Sequence, residues 1–306
     1  MADFYNENLR VLNFTHVDFD GVTSAIVLKN YFKNVIVEQI NYGREQEIID
    51  KCRKYQGKFD VVIFTDFCPV NIKQVKEFLK TSFQTEIPAL VLDHHESAVP
   101  FNDPQNDIHI NMKYSGCMLA YKYFGIKKDL TYLNDLVFIA NDYDMFTLTD
   151  KRAMFFNALM WKMGFDWFLI RFIKGNIKLY AEEKNYLLQY VTDVKKQYDE
   201  LPLSDLPHNG CFYECEDHLA EMSHRLSKDG YDYQIIKHGK ALSVRSNTDK
   251  INVVNICRTI GRGGGHKRAG GIPMFQSDDI KKLVQDICFA VEHELNYGEQ
   301  NDGLPF

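Results

Sequence analysis

Ile87-Pro88-Ala89-Leu90-Val91-Leu92-Asp93-His94-His95 carries an apolar run into an aspartate and two histidines, and two earlier segments repeat the design. Val11-Leu12-Asn13-Phe14 leads to His16-Val17-Asp18-Phe19-Asp20-Gly21, and Phe59-Asp60-Val61-Val62-Ile63-Phe64 leads to Asp66. Apolar runs of this length read as parallel strands buried on both faces. Each delivers carboxylates or imidazoles just past its last apolar residue, the end at which open α/β sheets bind ligands.

Side chains alternate along an extended backbone, so His16, Asp18 and Asp20 are expected to point one way with Val17 and Phe19 packed behind them. Gly21 is expected to let the chain turn into a helix over 22–32. Oxygen and imidazole donors without thiolates suit Mn²⁺ or Mg²⁺. Four clustered carboxylates exceed the charge of one divalent ion, which points to a pair of ions. A lone His or Asp at a strand end is ordinarily a cap or turn residue; three such ends in one chain argue for a site.

At 306 residues, 45% hydrophobic and 25% charged, the chain has the composition of a soluble globular protein with room for two cores. No apolar stretch is long enough to span a membrane, and Met1-Ala2-Asp3-Phe4-Tyr5 lacks the features of a signal peptide, so the expected location is cytoplasmic. The 36 basic against 42 acidic residues leave a net charge of −6, which argues against a broad nonspecific grip on duplex nucleic acid. A short or small phosphorylated substrate fits that balance better. The seven cysteines read as reduced thiols, and the Cys211/Cys215 pair has no second pair at zinc spacing.

Strand and helix signals alternate from residue 8 to about 125, as in a doubly wound α/β domain. Helices are expected over 115–124, capped by Ser115, and over 130–140, after which Asn141-Asp142-Tyr143-Asp144 forms another acidic cluster. The aromatic stretch holding Phe155, Phe156, Trp161, Trp167, Phe168 and Phe172 reads as packed helices, followed by a polar connecting helix. Prolines and a glycine between 201 and 210 mark a boundary. Beyond it a smaller α/β domain shows a helix over 217–228, strands over 231–237 and 241–246, and helices over 251–260 and 278–295. The expected division is thus 1–150 for a parallel-sheet domain, 151–200 for a helical extension, and 201–306 for the smaller domain, with a frayed tail over 301–306.

Gly261-Arg262-Gly263-Gly264-Gly265-His266-Lys267-Arg268-Ala269-Gly270-Gly271 concentrates six glycines in eleven residues. Such density has a backbone entropy cost that positive φ or close approach to a ligand would justify. Free amides with His266, Lys267 and Arg268 are expected to form an anion nest, with Arg245 as a fork-shaped clamp.

These motifs resemble those of the DHH phosphoesterases, in the branch whose second, DHH-associated domain is found in RecJ-type exonucleases, nano-RNases and phosphatases of 3′-phosphoadenosine 5′-phosphate. The resemblance covers nearly the whole chain. His16 to Gly21 match the first motif, Asp66 the second, Asp93-His94-His95 the third, and Asp142 in preference to Asp144 the fourth. Ser243-Val244-Arg245-Ser246 and Gly263-Gly264-Gly265-His266-Lys267-Arg268-Ala269-Gly270-Gly271 match the substrate-binding signature of the second domain, with Ala269-Gly270 where the family usually has two alanines.

The resemblance implies two Mn²⁺ ions, with Mg²⁺ as the substitute. His16, Asp18 and Asp66 would hold one, and Asp20, Asp66, His94 and Asp142 the other. Asp93 would orient an imidazole, and His95 would face the scissile phosphate. Arg245, Ser246, Gly263, Gly264, Gly265, His266, Lys267 and Arg268 would hold a short single-stranded RNA or DNA, or a small nucleotide. The implied activity is phosphoester hydrolysis, with short oligonucleotides ahead of a bisphosphorylated nucleoside or a linear or cyclic dinucleotide. The reading from another class is a nucleotide-binding regulatory protein without turnover, which a missing ligand would betray. The sequence leaves the oligomeric state open.

Overall fold

The computed structural model describes residues 3–41, 43–44, 46–83 and 85–297, with His266 by its backbone alone; the tail over 301–306 lies outside them. The chain divides into two units, Met1–Leu187 and Leu188–Phe306.

The first unit alternates β1 (Arg10–Thr15), α1 (Phe19–Tyr31), β2 (Asn34–Gln39), α2 (Gln46–Lys54), β3 (Val61–Thr65), α3 (Ile72–Thr81), β4 (Ala89–Asp93) and β5 (Ile108–Ile110). It continues through α4 (Gly116–Gly125), α5 (Asn134–Asp144), α6 (Arg152–Met163) and α7 (Phe165–Phe172). The five strands are all parallel in the order β2-β1-β3-β4-β5. The continuous apolar runs have a simple cause: Val11, Val61, Ile63, Leu90 and Leu92 pack on one face, and Leu12, Phe14, Val62, Phe64 and Val91 on the other. Helices α1, α4, α5, α6 and α7 cover the first face, and α2 and α3 the second. This is the expected doubly wound sheet.

Phe156, Leu159, Phe168 and Phe172 belong to the core under α1, and the division between the units falls inside α8 (Ala181–Asp199).

The second unit contains β6 (Ser204–Leu206), β7 (Gly210–Glu214), α9 (Leu219–Lys228), β8 (Tyr233–His238), β9 (Ala241–Ser246), α10 (Val253–Ile260), β10 (Gly264–His266), β11 (Ala269–Pro273) and α11 (Ile280–Tyr297). Its six strands follow the order β10-β11-β9-β8-β7-β6, antiparallel except for β7 and β8. Tyr233, Ile235, Leu242, Val244 and Ile272 pack beneath α10 and α11. Among the described residues no helix is long and apolar enough to cross a membrane.

Candidate metal centre

The sheet order reverses between β1 and β3, and the candidate side chains gather there at the carboxyl ends of the strands. Thr15 lies opposite Thr65, and Thr65 opposite Leu92, so His16, Asp66 and Asp93 leave their strands side by side. A buried relay holds this row together. Asn13 Nδ2 donates to Thr65 Oγ1 (3.0 Å), Thr65 Oγ1 to Thr15 Oγ1 (3.0 Å), and Thr15 Oγ1 to the Gly21 carbonyl (2.9 Å).

Asp18 caps α1, its Oδ1 accepting from Gly21 N at 3.0 Å, while Oδ2 lies 2.7 Å from His16 Nδ1. Gly21 therefore sits within the first turn of α1, not before it. Its role also differs from the expected turn: a Cβ there would stand 2.0 Å from the His16 carbonyl oxygen. Asp20 reaches the start of α4, accepting from Gly116 N (2.6 Å) and Cys117 N (2.9 Å). Those are amides that a helix cannot satisfy internally. The expected cap, Ser115, makes no side-chain capping bond; its hydroxyl lies 3.3 Å from Cys117 Sγ.

Asp66 is a buried non-glycine residue in the left-handed region, φ 54°, which aims its carboxylate off the end of β3. Neither of its carboxylate oxygens makes a hydrogen bond among the described residues, and the same holds for Asp144 Oδ2. His94 Nε2 lies 3.2 Å from both Asp66 Oδ1 and Asp144 Oδ2, and 3.9 Å from Asp20 Oδ2. Asp93 Oδ1 takes the backbone amide of His94 (2.8 Å) and lies 2.8 Å from His95 Nδ1, so the imidazole it orients is that of His95. Three groups of donors converge: His16, Asp18 and Asp66; Asp20, His94 and Asp144; and Asp66, Asp93, His94 and His95.

At the fourth motif, where Asp142 was expected ahead of Asp144, the structure brings Asp144 to the other donors. Asp142 does not join these groups, because its carboxylate is taken by the loop that follows α5, accepting from Thr147 Oγ1 (2.6 Å), Thr149 Oγ1 (2.7 Å) and Asp150 N (2.9 Å). Asp144 stands beside His94 and Asp20 instead.

The electrostatics match a site built for cations. Burial, then Asp20, Asp18, Asp144 and Asp93, push the Asp66 carboxyl well above the usual carboxylate range. Burial, then Asp20 and Asp18, do the same to Asp144. Burial also opposes ionisation of Asp18 and Asp93, but His16 outweighs it at Asp18 and His95 at Asp93, so both carboxyls end below their ordinary values. For His16, burial works against the charged imidazole, and the charge and hydrogen bond of Asp18 more than compensate, raising its pKa. Buried carboxylate oxygens without hydrogen bonds, crowded by like charge and flanked by imidazoles, fit one or two divalent ions.

In the second unit the glycine tract forms a hairpin. Gly264 pairs with Gly271, Gly265 with Gly270, and His266 with Ala269 across β10 and β11, with Lys267 and Arg268 at the turn. A Cβ on Gly263 (φ 91°) would stand 2.2 Å from the Gly271 carbonyl oxygen, and one on Gly265 2.3 Å from that of Ala269. Close strand packing thus explains these two glycines. Arg268 pairs with Asp249 at 2.8 Å, the Ser246 hydroxyl donates to the Thr248 carbonyl at 2.8 Å, and the Lys267 carbonyl accepts from Val253 N at 2.8 Å. Half-buried Arg245 lies opposite Ala269, and Ser243 opposite Gly271. Alternation puts Arg245 and Ser243 on the face away from Leu242 and Val244. The side chain of His266 lies outside what the structure describes.

Residues 10–141 match the DHH family, N-terminal domain. A 3′,5′-cyclic-nucleotide phosphodiesterase of Helicobacter pylori is 21% identical over 348 residues, covering 91% of this chain and 99% of that protein. RecJ from Thermus thermophilus, solved in complex with Mn²⁺, has the same fold at a TM-score of 0.68 and 14% identity over 94% of this chain. That match covers 53% of the RecJ chain, so this protein spans about half of it. The pGpG-specific phosphodiesterase PggH from Vibrio cholerae matches at a TM-score of 0.55 and 14% identity, over 93% of this chain and 99% of its own. Residues 10–141 thus match the DHH family's N-terminal domain, with the motifs on the ends of β1, β3 and β4.

Proposed function

We propose that this protein is a metal-dependent phosphodiesterase that hydrolyses short oligonucleotides or small nucleotides at a centre holding two Mn²⁺ ions, with Mg²⁺ as the alternative. The observation that carries this reading is Asp66, a buried carboxylate whose two oxygens make no hydrogen bond among the described residues, shared between two groups of donors. His16, Asp18 and Asp66 would hold one ion; Asp20, His94 and Asp144, with Asp66, would hold the other. When bound, the ions supply positive charge beside the scissile phosphate and make water acidic enough to attack near neutral pH.

The remaining chemistry belongs to the side chains. Asp93, held ionised, accepts a hydrogen bond from His95 Nδ1–H and so leaves Nε2 as the nitrogen turned to the departing oxygen, to which it would give a proton. The Asn13–Thr65–Thr15 relay fixes the His16–Gly21 turn against β3, so the first-motif ligands keep their spacing without the ions. Arg245 holds the far phosphate or terminal nucleotide of the substrate, for which a planar five-donor fork is suited. The net charge of −6 and the small-phosphodiester substrates named for the H. pylori and V. cholerae proteins support short substrates over long polymers.

A substrate panel tests this reading: a labelled dinucleotide, a 3′,5′-cyclic mononucleotide, a 3′,5′-bisphosphorylated nucleoside and a long single strand, each with Mn²⁺, Mg²⁺ or chelator. Turnover of one of the small phosphoesters is expected, lost in chelator and in Asp66→Asn. Equal rates on the long strand would refute the preference for short substrates. Tight nucleotide binding without turnover under any metal would make the protein a binding module.

A further inference from the structure

We propose that Asp142 is a positioning residue that sets where Asp144 stands, and through it the affinity of the ion site formed with Asp20 and His94; this rests on the metal-centre reading above. The four residues that end α5 run to four different anchors. Asn141 Oδ1 accepts from Ser115 N at 3.0 Å, tying α5 to the start of α4, and the Tyr143 hydroxyl accepts from Asn157 Nδ2 at 2.8 Å, tying it to α6. Asp144 faces His94. At 100° per residue Asp142 points roughly 200° away from Asp144, into the loop.

Phe146 and Leu148 both take left-handed backbone, φ 52° and 46°, a conformation disfavoured for residues with side chains of this size. Leu148 packs against the core of the first unit, and Asp142 ties the loop by hydrogen bonds. Its Oδ1 accepts from both threonine hydroxyls and from Thr149 N (3.1 Å), its Oδ2 from Asp150 N, and its carbonyl from Thr147 N (3.1 Å) and Leu148 N (3.2 Å). The last carbonyls of a helix have no partners within it, so the end of α5 depends on such external ties. Asp144 is the final residue of α5, between the clamp and the site.

The experiment is Mn²⁺ titration by isothermal calorimetry on the full chain, with circular dichroism to verify folding. The wild type is expected to bind two ions. Asp142→Ala is expected to weaken one of them about 10- to 100-fold, the usual cost of removing a residue that supports a ligand. Asp144→Asn should weaken the same ion, and the double variant should lose no more than the larger single loss, because both changes act through one carboxylate. A purely structural role would lower the melting temperature without this selectivity or this failure to add. Should Asp142→Ala not fold, the pair Thr147→Val and Thr149→Val, which removes two donors from Oδ1, is judged by the same criteria. Two ions bound at wild-type affinity by the folded variant, or losses that add with Asp144→Asn, would overturn the proposal. If the wild type and Asp66→Asn alike bind no Mn²⁺, the metal-centre reading fails first and this one with it.

Discussion

Gly116 begins α4 so close to Asp66 that a Cβ added to it would lie 2.5 Å from the Asp66 Cβ. The Gly116 amide also donates to Asp20, so one glycine sets the distance between two carboxylates of the centre. Gly116→Ala must push α4 or Asp66 aside. The expected loss is about 1–3 kcal/mol of stability, the usual range for overpacking, together with weakened Mn²⁺ binding. Thermal melts in chelator and in Mn²⁺ check this: the variant should gain less from Mn²⁺ than the wild type does.

The stability of the metal-free protein should fall as pH rises. The Asp66 and Asp144 carboxyls are raised in the folded state, so the native protein holds protons that the unfolded chain has released above about pH 4. Native stability is therefore lost from about pH 4 upward, until these folded-state values are passed. The raised His16 has the same sign, contributing below its unfolded value of about 6.5 and fading as pH climbs through its folded value. Asp18, Asp93 and Asp142 are lowered, so their contribution is complete above about pH 4 and is lost only in stronger acid. Melts in chelator between pH 5 and 8 should show a decline that Asp66→Asn reduces and Mn²⁺ reverses.

His95 and its carboxylate partner separate chemistry from ion binding. His95→Gln is expected to lower kcat by roughly 10²- to 10⁴-fold, the range for losing a positioned general acid, with both ions still bound. Asp93→Asn keeps the shape but exchanges an ionised acceptor for an amide, and should reduce kcat by a smaller factor. Steady-state kinetics beside calorimetry distinguishes these effects from loss of metal.

On the second unit, Arg245→Lys keeps the charge and loses the fork. A rise in KM of roughly tenfold is expected, about the worth of one charge-assisted hydrogen bond, with Mn²⁺ affinity unchanged. An unaltered KM would remove Arg245 from the substrate-holding role.

The first three motifs were legible because each follows a strand whose apolar run has one physical explanation, burial on both sheet faces, and parallel strands bring their ends together. The fourth was not. Asp142 and Asp144 both end a helix, and spacing alone cannot say which side of α5 faces the centre; the available signal was Thr147 and Thr149, two hydroxyls placed to occupy Asp142. The hairpin within the glycine tract was not legible, because glycine density alone does not fix backbone pairing. Asp20 reaching α4, and Gly116 pressing on Asp66, join residues about 50 to 100 positions apart and leave no local pattern. The packing of α6 and α7 on the first unit followed from which sheet face lacked cover, a fact of topology.

The central claim is that Asp66 is shared between two bound ions. Anomalous diffraction at the manganese edge, from crystals grown with Mn²⁺, tests it most directly. Two peaks are predicted, one beside His16 and Asp18 and the other beside Asp20, His94 and Asp144, both within bonding distance of the Asp66 carboxylate. A single peak away from Asp66, or none among these side chains, would contradict the account.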